Sequence, residues 1–387
     1  MKRFKKTILF IHRWLGFISG LVVFIVSITG CIFCFQDEIQ DAIHSYRKVE
    51  IQEKPYIGPS QLKSIALKDH PKSMANYIYY YGKDRPAVVI ANLDKAGLTY
   101  IYLNPYTGKI LHSEALLSNF FVVVEYIHLY LLLPPKIGAL VVGISVIIFL
   151  VLMITGIILW WPKRKSDRKR SFSIKWNGRW RRVNYDLHNV LGFYVTGIAV
   201  ILAITGLSIA FDWVNDGIYK AANLGKNYPG EKVVPKSDTL QTIKVVNEPI
   251  IDQIFQQVQL RSPQAQMFLV HDPSTKAESI SITAYAKSLH FYKSDLYYFD
   301  QYSGKLLSSL AHAKKSSGMK MNAMNYDIHV GQVLGVTGKI IAFLASLICA
   351  SLPVTGFIIW LGKIKRPKKN AIKAIVHKKT HARLVTH

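Results

Sequence analysis

The hydrophobic residues of this chain are gathered into four long apolar blocks. The blocks cover residues 12–35, 136–161, 188–211 and 335–361, and no Asp or Glu lies inside any of them. A helix needs about 20 residues to cross the roughly 30 Å hydrocarbon core of a bilayer, and every block reaches that length. The pattern therefore predicts an integral membrane protein with four transmembrane helices.

Two long polar segments, residues 36–123 and 212–323, separate the blocks. They contain short aromatic and aliphatic runs with alternating polarity, which is the pattern of β-strands. Residues 102–111 and their near copy 298–307 each predict a strand, a turn and a second strand, whereas residues 250–259 have a helical pattern. We therefore expect each segment to form a mixed α+β module outside the membrane.

The first and third apolar blocks are copies of one another. The first begins with His12, and the third begins with His188. Both continue with Leu-Gly-Phe three to five residues later and with Thr-Gly at the seventeenth and eighteenth positions after the histidine. A recurrence of this length indicates an internal repeat. Two repeats in the same orientation predict a pseudo-twofold axis along the membrane normal, with a shared site between the halves.

The predicted fold class is a membrane α-helical bundle of four transmembrane helices in two parallel repeats, with two extracytoplasmic α+β modules. We expect the following regions along the chain: N-terminus and first membrane helix, 1–35; first module, 36–123; helical approach and second membrane helix, 124–162; basic loop, 163–183; third membrane helix, 184–211; second module, 212–323; fourth membrane helix, 324–362; basic tail, 363–387.

The net charge of +26 is concentrated beside the membrane blocks. Residues 1–13, 162–182 and 362–387 hold 24 of the 49 basic residues and a single acidic one, Asp167. The positive-inside rule then places both termini and the middle loop in the cytoplasm. Clusters of this kind favour contact with anionic membrane lipid rather than with nucleic acid.

Each predicted membrane helix has one histidine at its edge. His12 and His188 fall at the cytoplasmic face, and His128 and His329 fall at the outer face, which predicts two pairs at opposite depths. An ionisable residue at such a place indicates a functional site. His188 and His329 follow Asn-Tyr-Asp, and we expect the asparagine to cap the helix and the histidine to lie one turn inside it.

Glycines accompany the histidines. Gly16 lies one turn after His12, and Gly192 lies one turn after His188, on the same helix faces. A flat macrocycle needs such a smooth helix surface, and neutral imidazole is a usual haem ligand. A bare metal ion fits less well, because no carboxylate lies inside the spans and the three cysteines are distant along the helices. The alternative is that these histidines bind lipid headgroups and that the glycines serve helix packing.

Two further patterns are interpreted as structural. All four blocks contain Thr-Gly, which we assign to helix packing, with cofactor contact as the alternative. Cys31 and Cys34 have the spacing of a redox motif, but small residues in a membrane helix explain them as well. No Cys-x-x-Cys-His occurs, which excludes covalent c-type haem attachment.

The chain resembles the PepSY-associated transmembrane helix family. The resemblance depends on Asp-Leu-His-Asn-Val-Leu-Gly at residues 186–192 and on Asp-Ile-His-Val-Gly-Gln-Val-Leu-Gly-Val-Thr-Gly-Lys at residues 327–339. Tyr-Thr-Gly-Lys and Tyr-Ser-Gly-Lys, at residues 106–109 and 302–305, are similar to the turn that ends a PepSY module. Members of the family include inner-membrane reductases of ferric siderophores with b-type haems.

The resemblance implies that His12, His128, His188 and His329 bind the iron of two b-type haems. Electrons from an unknown cytoplasmic donor would pass along the two haems, roughly 20 Å apart in a bilayer, to a ferric siderophore or another ferric chelate. His128 departs from the pattern, because no glycine follows it and Pro134 and Pro135 come soon after. The resemblance indicates no catalytic residue beyond the ligands.

A non-enzymatic function is the alternative. PepSY modules of this kind could bind or inhibit a peptidase, or sense a peptide, with the helices as anchors. That hypothesis predicts a colourless protein that purifies with a partner, whereas a haem oxidoreductase is coloured.

Overall fold

The computed structural model describes residues 2–94, 96–240 and 248–364. The predicted basic tail lies outside these residues from position 365 onward, as do residues 241–247 of the predicted second module.

The helices and strands alternate in two similar series. The helices are α1 (Lys2–Cys34), α2 (Gln36–Ile43), α3 (Pro59–Ala66), α4 (Phe120–Tyr130), α5 (Pro135–Trp160), α6 (Arg168–Ser171), α7 (Trp180–Asp186), α8 (Gly192–Ala210), α9 (Asp212–Ala222), α10 (Ile250–Arg261), α11 (Ser317–His329) and α12 (Gly335–Ile364). The strands are β1 (Met74–Tyr80), β2 (Ala87–Leu93), β3 (Gly97–Leu103), β4 (Ile110–Ala115), β5 (Met267–His271), β6 (Ile280–Tyr285), β7 (Ser294–Phe299) and β8 (Leu306–Leu310).

Four helical stretches in the described part of the chain are long and apolar enough to cross a membrane. They are Arg3–Cys34, Pro135–Trp160, Trp180–Ala210 and Gln332–Ile364. Each contains one of the apolar blocks of the sequence almost entirely, so the prediction of four helices that are long and apolar enough to span a membrane is confirmed.

The described residues divide into two compact units. The first, here called the helical unit, comprises the described residues 2–28, 140–203 and 344–364. Its core combines side chains from all four spans: Val23, Phe149, Met153, Val195, Ala199, Ala203, Ala345, Cys349 and Leu352. Alanines at this core let the helix backbones approach closely, which is the usual basis of packing between membrane helices.

The second unit, here called the sheet unit, comprises Thr29–Ala139 and Ile204–Phe343. Its eight described strands form one antiparallel sheet in the order β4-β3-β2-β1-β5-β6-β7-β8. The first polar segment supplies β1 to β4, the second supplies β5 to β8, and β1 pairs with β5 at the centre. Because each segment contributes a half-sheet with the same strand order, mirrored about this pair, the arrangement agrees with an internal repeat, which itself stays a prediction.

The alternation along β1 separates two faces of the sheet. Ile78 and Tyr80 are fully buried on the face covered by α3 and α10, where the Tyr80 ring stacks on Phe255 with ring centres 4.5 Å apart. Tyr79 and Tyr81, whose rings stack 5.1 Å apart, line a cavity instead. A period of two sends successive side chains to opposite faces, so one strand serves both a core and a cavity.

The two copied turns have the same geometry. In one, the side-chain oxygen of Asn104 accepts hydrogen bonds from the backbone of Tyr106 and Thr107; in the other, Asp300 accepts them from Tyr302 and Ser303. Gly108 and Gly304 then adopt φ values of +70° and +68°, a region that glycine enters without strain. The strand-turn-strand prediction is confirmed at both places.

Two expectations differ from the structure. The two segments were expected to form two modules, but their strands join into one sheet because the inner strands β1 and β5 still have free edges to pair. His329 was expected to open the fourth span, but it is the last residue of α11. Gly331 and Gly335, with φ values of +79° and +61°, separate it from α12.

Two isomeric residues on α10 give a matched test of the sheet unit. Ile254 is fully buried against the sheet, whereas Leu260 is 83% exposed. We expect Ile254→Ala to destabilise the unit by about 2–5 kcal/mol, because it leaves a cavity, and Leu260→Ala to change stability by less than about 0.5 kcal/mol. Thermal unfolding of the detergent-solubilised protein, followed by near-ultraviolet circular dichroism, measures both; equal midpoints would contradict this packing.

Candidate functional site

The four histidines come together as two pairs, one in each unit. In the helical unit the ring centres of His12 and His188 are 6.4 Å apart, with the ring planes at 90°. In the sheet unit those of His128 and His329 are 6.1 Å apart, at 66°. Each pair combines one histidine from the first half of the chain with one from the second, as the repeat predicted.

Every one of these rings contacts a threonine hydroxyl through Nδ1. The Nδ1–Oγ1 distances are 2.8 Å for His12 with Thr155, 2.9 Å for His188 with Thr355, 3.1 Å for His128 with Thr29, and 2.9 Å for His329 with Thr205. All four threonines belong to the Thr-Gly pairs of the membrane helices. Each histidine is thus oriented by a different helix from its own.

The direction of two of these hydrogen bonds follows from the proton count. Thr155 Oγ1 donates to the carbonyl of Val151 at 2.9 Å, and Thr355 Oγ1 donates to that of Ser351 at 2.8 Å. A hydroxyl has only one proton, so these oxygens accept from the histidines. We therefore assign the proton of His12 and His188 to Nδ1, which leaves the Nε2 lone pair available to a ligand.

The glycines of two Thr-Gly pairs, Gly206 and Gly356, give the neighbouring histidine ring its space. A Cβ added to Gly356 would lie 3.1 Å from Cε1 of His188, and one added to Gly206 would lie 3.0 Å from Cε1 of His329. At Gly156 the distance to Cε1 of His12 is 3.5 Å. A side chain at Gly206 or Gly356 would press on the imidazole. The Thr-Gly pairs therefore hold the histidines, in addition to the packing role that the sequence suggested.

The glycines selected from the sequence lie beside the histidines on their own helices. A Cβ at Gly16 would meet no atom within 4 Å, and one at Gly192 would lie 3.5 Å from Leu352. Open space at Gly16, on the helix face that has His12, suits a flat ligand. The role of both glycines in holding a cofactor stays a prediction.

The Asn-Tyr-Asp motif does not cap a helix as expected. Asn184 lies inside α7 and Asn325 lies inside α11, and both are buried. Their amides donate to the backbone carbonyls of Thr355 and Thr205, at 3.1 Å and 3.0 Å. The capping prediction was wrong, because a buried amide in a membrane protein bonds a neighbouring helix rather than an exposed helix end.

The asparagine and the histidine of each motif therefore hold one threonine at two points. Asn184 bonds the carbonyl of Thr355 and His188 bonds its hydroxyl. His188 also lies within one π-helical turn, Leu187–Leu191, between α7 and α8. Such turns are frequent at functional sites, because they displace side chains from the regular helix positions.

The aspartates of the motif hold the helical residues just before the histidines in place. Asp186 is buried and accepts from the guanidinium of Arg182 at 2.7 Å. Asp327 is fully buried and accepts from the backbone of Phe291 and Tyr292, each at 3.0 Å. Burial raises the pKa of Asp327 against these two hydrogen bonds. The motif therefore positions the histidine.

A cavity of about 250 Å³ lies within the sheet unit, one helical turn before the His128/His329 pair. Its wall includes Glu125, three residues before His128, and Tyr326, three residues before His329. Residues three apart lie on the same helix face. Its other titratable lining residues are Asp37, Arg47, Tyr79, Tyr81, Arg85, Tyr100 and Tyr102.

Sequence reasoning missed two features. The threonine partners of the histidines were assigned to packing, although four Thr-Gly pairs match four histidines in number and that equality was a signal. The cavity was missed because its lining comes from α1, α2, α4, α11 and the strands β1 to β3. No local sequence pattern shows that such distant segments meet.

The profile of the family described as PepSY-associated TM region matches residues 9–363 of the chain. That range contains all four histidines, their threonine partners and the cavity residues. No curated protein matches the chain.

The amide contact to Thr355 can be tested within α7 and the turn that follows it. We expect Asn184→Leu to destabilise the helical unit by roughly 1–2 kcal/mol, since it removes an interhelical hydrogen bond in the membrane. Asn189→Leu is the control, because the Asn189 amide bonds Tyr185 of its own helical segment and is partly exposed. The thermal midpoint of the purified protein should fall only for the first variant; a fall of equal size in both would argue against this contact.

Proposed function

The chain belongs to the family of the PepSY-associated TM region, and from that premise we propose that it is a transmembrane b-type haem oxidoreductase. It would pass electrons across the bacterial inner membrane and reduce ferric siderophores or other ferric chelates for iron uptake. Reduction releases the iron, because Fe(II) is a softer and more weakly held ion than Fe(III) for oxygen chelators.

One observation carries the proposal: two histidine pairs at the spacing of bis-histidine ligation. An imidazole nitrogen lies about 2 Å from a bound metal and about 1.1 Å from its own ring centre, so rings on opposite sides of one iron have centres roughly 6 Å apart. The ring-centre distances of 6.4 Å for His12 with His188 and 6.1 Å for His128 with His329 agree with that value. The donor set, two neutral imidazoles, is also that of a b-type haem.

The threonines give the proposed ligands what iron binding requires. A ligating imidazole usually donates its other ring N–H to an acceptor, which fixes the tautomer and the ring orientation. Thr155 and Thr355 serve this purpose for His12 and His188. The bonds therefore hold the Nδ1 proton and keep Nε2 unprotonated, while a haem in each pair would supply one-electron transfer.

The charge distribution supports the direction of transfer. The basic segments next to the spans favour, by the positive-inside rule, an orientation with His12 and His188 near the cytoplasm and with His128 and His329 near the outer face. The cavity beside the second pair offers a place where an acceptor could be held outside the cytoplasm. Its lining of hydrogen-bonding and aromatic side chains suits an organic chelate better than a bare ion.

The visible spectrum of the purified protein tests the proposal most directly. We expect a Soret band, with α and β bands that sharpen on reduction by dithionite, at close to two haems per chain. The reduced protein should be reoxidised by ferric siderophores with formation of Fe(II), detected with a ferrous-specific dye. A colourless preparation from haem-replete cells would end the proposal and favour the peptide-binding alternative.

Replacement of single histidines tests the pairing. We expect His188→Ala to lower the content to about one haem per chain, and His188→Ala with His329→Ala to abolish haem binding. His271→Ala, on β5 and outside both pairs, is the control and should keep two haems. An unchanged content in the His188→Ala protein would show that the His12/His188 pair does not hold a haem.

A further inference from the structure

The basic loop, residues 163–183, carries a dense positive charge between the second and third membrane helices. It contains ten Lys and Arg residues and a single acidic one, Asp167. All ten are exposed except Arg182, which is partly buried and pairs with Asp186 at 2.7 Å. Within residues 2–94, 96–240 and 248–364, no other member of the ten pairs with a carboxylate. So many like charges on a short segment repel one another unless anions lie among them.

The basic loop is nevertheless fixed to two membrane helices. The Phe172 ring lies edge-on to Trp160 and Phe193, with ring centres 4.8 Å and 5.3 Å apart. The backbone carbonyls of Ser171 and Phe172 accept hydrogen bonds from Trp160 Nε1 at 3.1 Å and from the Tyr194 hydroxyl at 3.3 Å. Trp160 is the last residue of α5. Because the membrane helix ends there, these contacts hold the loop at the boundary between the hydrocarbon and the lipid headgroups.

Three tryptophans in and beside the basic loop are exposed rather than packed inside the protein. Trp161, Trp176 and Trp180 have exposed fractions of 61%, 71% and 64%. Tryptophan is enriched at the boundary between membrane and water, because its ring is apolar and its N–H group is polar. The positive charge alone would suit any polyanion, including an acidic soluble protein. The exposed tryptophans, on a loop held at the membrane boundary, favour a lipid surface.

The basic loop is also bonded directly to the residues that position His188. Asp186 lies two residues before His188. Its carboxylate accepts a hydrogen bond from the backbone N–H of Lys175 at 3.3 Å, in addition to the one from Arg182 at 2.7 Å. Both donors belong to the loop. A displacement of the loop therefore acts on Asp186, and through it on the π-helical turn Leu187–Leu191 that contains the histidine.

From these contacts we infer that the basic loop binds the anionic phospholipid headgroups of the bilayer, and that this binding fixes the helical turn containing His188. The lipid phosphates neutralise the repelling cations, while the tryptophans enter the boundary of the same lipids. In a bilayer without anionic lipid, repulsion draws the loop away from Trp160 and from Asp186. The charge pattern of the sequence indicated lipid contact in general, whereas the position of the loop and its connection to His188 come from the fold. The inference requires no haem and goes beyond the proposed function.

Hydrogen–deuterium exchange of the full-length protein in lipid nanodiscs tests the inference. Discs of phosphatidylcholine alone would be compared with discs of phosphatidylcholine and phosphatidylglycerol in equal parts. We expect amide exchange in the basic loop to slow about tenfold in the anionic discs, because each cation near an anionic surface strengthens binding about fivefold. Exchange at residues 187–192 should slow as well. High salt should remove both differences, because it screens exposed charges.

A variant with three lysines of the loop replaced tests whether charge is the cause. It should lose most of the protection by anionic lipid, and its substitutions are Lys163→Gln, Lys165→Gln and Lys169→Gln. The matched control removes the same charge from three exposed lysines of the sheet unit and should keep the protection; its substitutions are Lys54→Gln, Lys68→Gln and Lys72→Gln. The control separates the charge of the loop from the net charge of the protein.

Asp186→Ala tests the connection to His188. In this variant the loop should still be protected by anionic lipid, but exchange at residues 187–192 should no longer respond to the lipid. Equal exchange of the loop in the two kinds of disc would overturn the inference and leave this surface to a soluble acidic partner. A response at residues 187–192 that persists in the Asp186→Ala protein would overturn the connection. Both measurements apply equally to a colourless protein, so they are separate from the test of haem binding.

Discussion

The hydrogen bond between a histidine Nδ1 and the hydroxyl of a threonine on another helix is the interaction on which this site depends. It occurs for all four histidines of the two pairs, with N–O distances from 2.8 to 3.1 Å. A histidine at the edge of a membrane helix would otherwise turn toward lipid headgroups or water. The bond holds each ring toward its partner, and at His188 and His329 the glycine after the threonine leaves room for the ring.

In the helical unit this interaction also explains why polar residues persist among apolar helices. Thr355 receives Asn184 on its carbonyl and His188 on its hydroxyl, while it donates its own proton to Ser351. Each of these three donors has an acceptor, so burial does not carry the cost of an unsatisfied N–H or O–H group. A network of this kind favours one arrangement of the helices over others. Apolar packing alone discriminates less between alternative arrangements of similar helices.

The sheet unit combines support and recognition in the same strands. One face of β1 packs on α10 through Ile78 and Tyr80, and the alternate positions turn Tyr79 and Tyr81 toward the cavity. The rigid core on one face fixes the positions of the cavity side chains on the other. Functional side chains on strands that a core supports are held more firmly than those on loops.

The sequence by itself determined the membrane helices, the family and the four histidines. These follow from local properties: the length of an apolar run, the repetition of a motif, and a histidine at a fixed place in each copy. The two strand-turn-strand copies could be predicted for the same reason. The side-chain oxygens of Asn104 and Asp300 accept hydrogen bonds from backbone groups only two and three positions further along.

Only the tertiary structure decided which residues meet. Asn184 has the spacing of a helix cap, yet its amide donates a hydrogen bond to a carbonyl 171 residues further along the chain. His12 likewise forms a hydrogen bond with Thr155, which lies 143 residues further along. The single sheet likewise depends on the pairing of β1 with β5, whose free edges were not evident in either segment alone. A local sequence pattern indicates which helix or strand a segment can form. The partners of its hydrogen-bonding and charged side chains, however, belong to other segments of the chain. For that reason the partner of each histidine emerged only when the chain was folded.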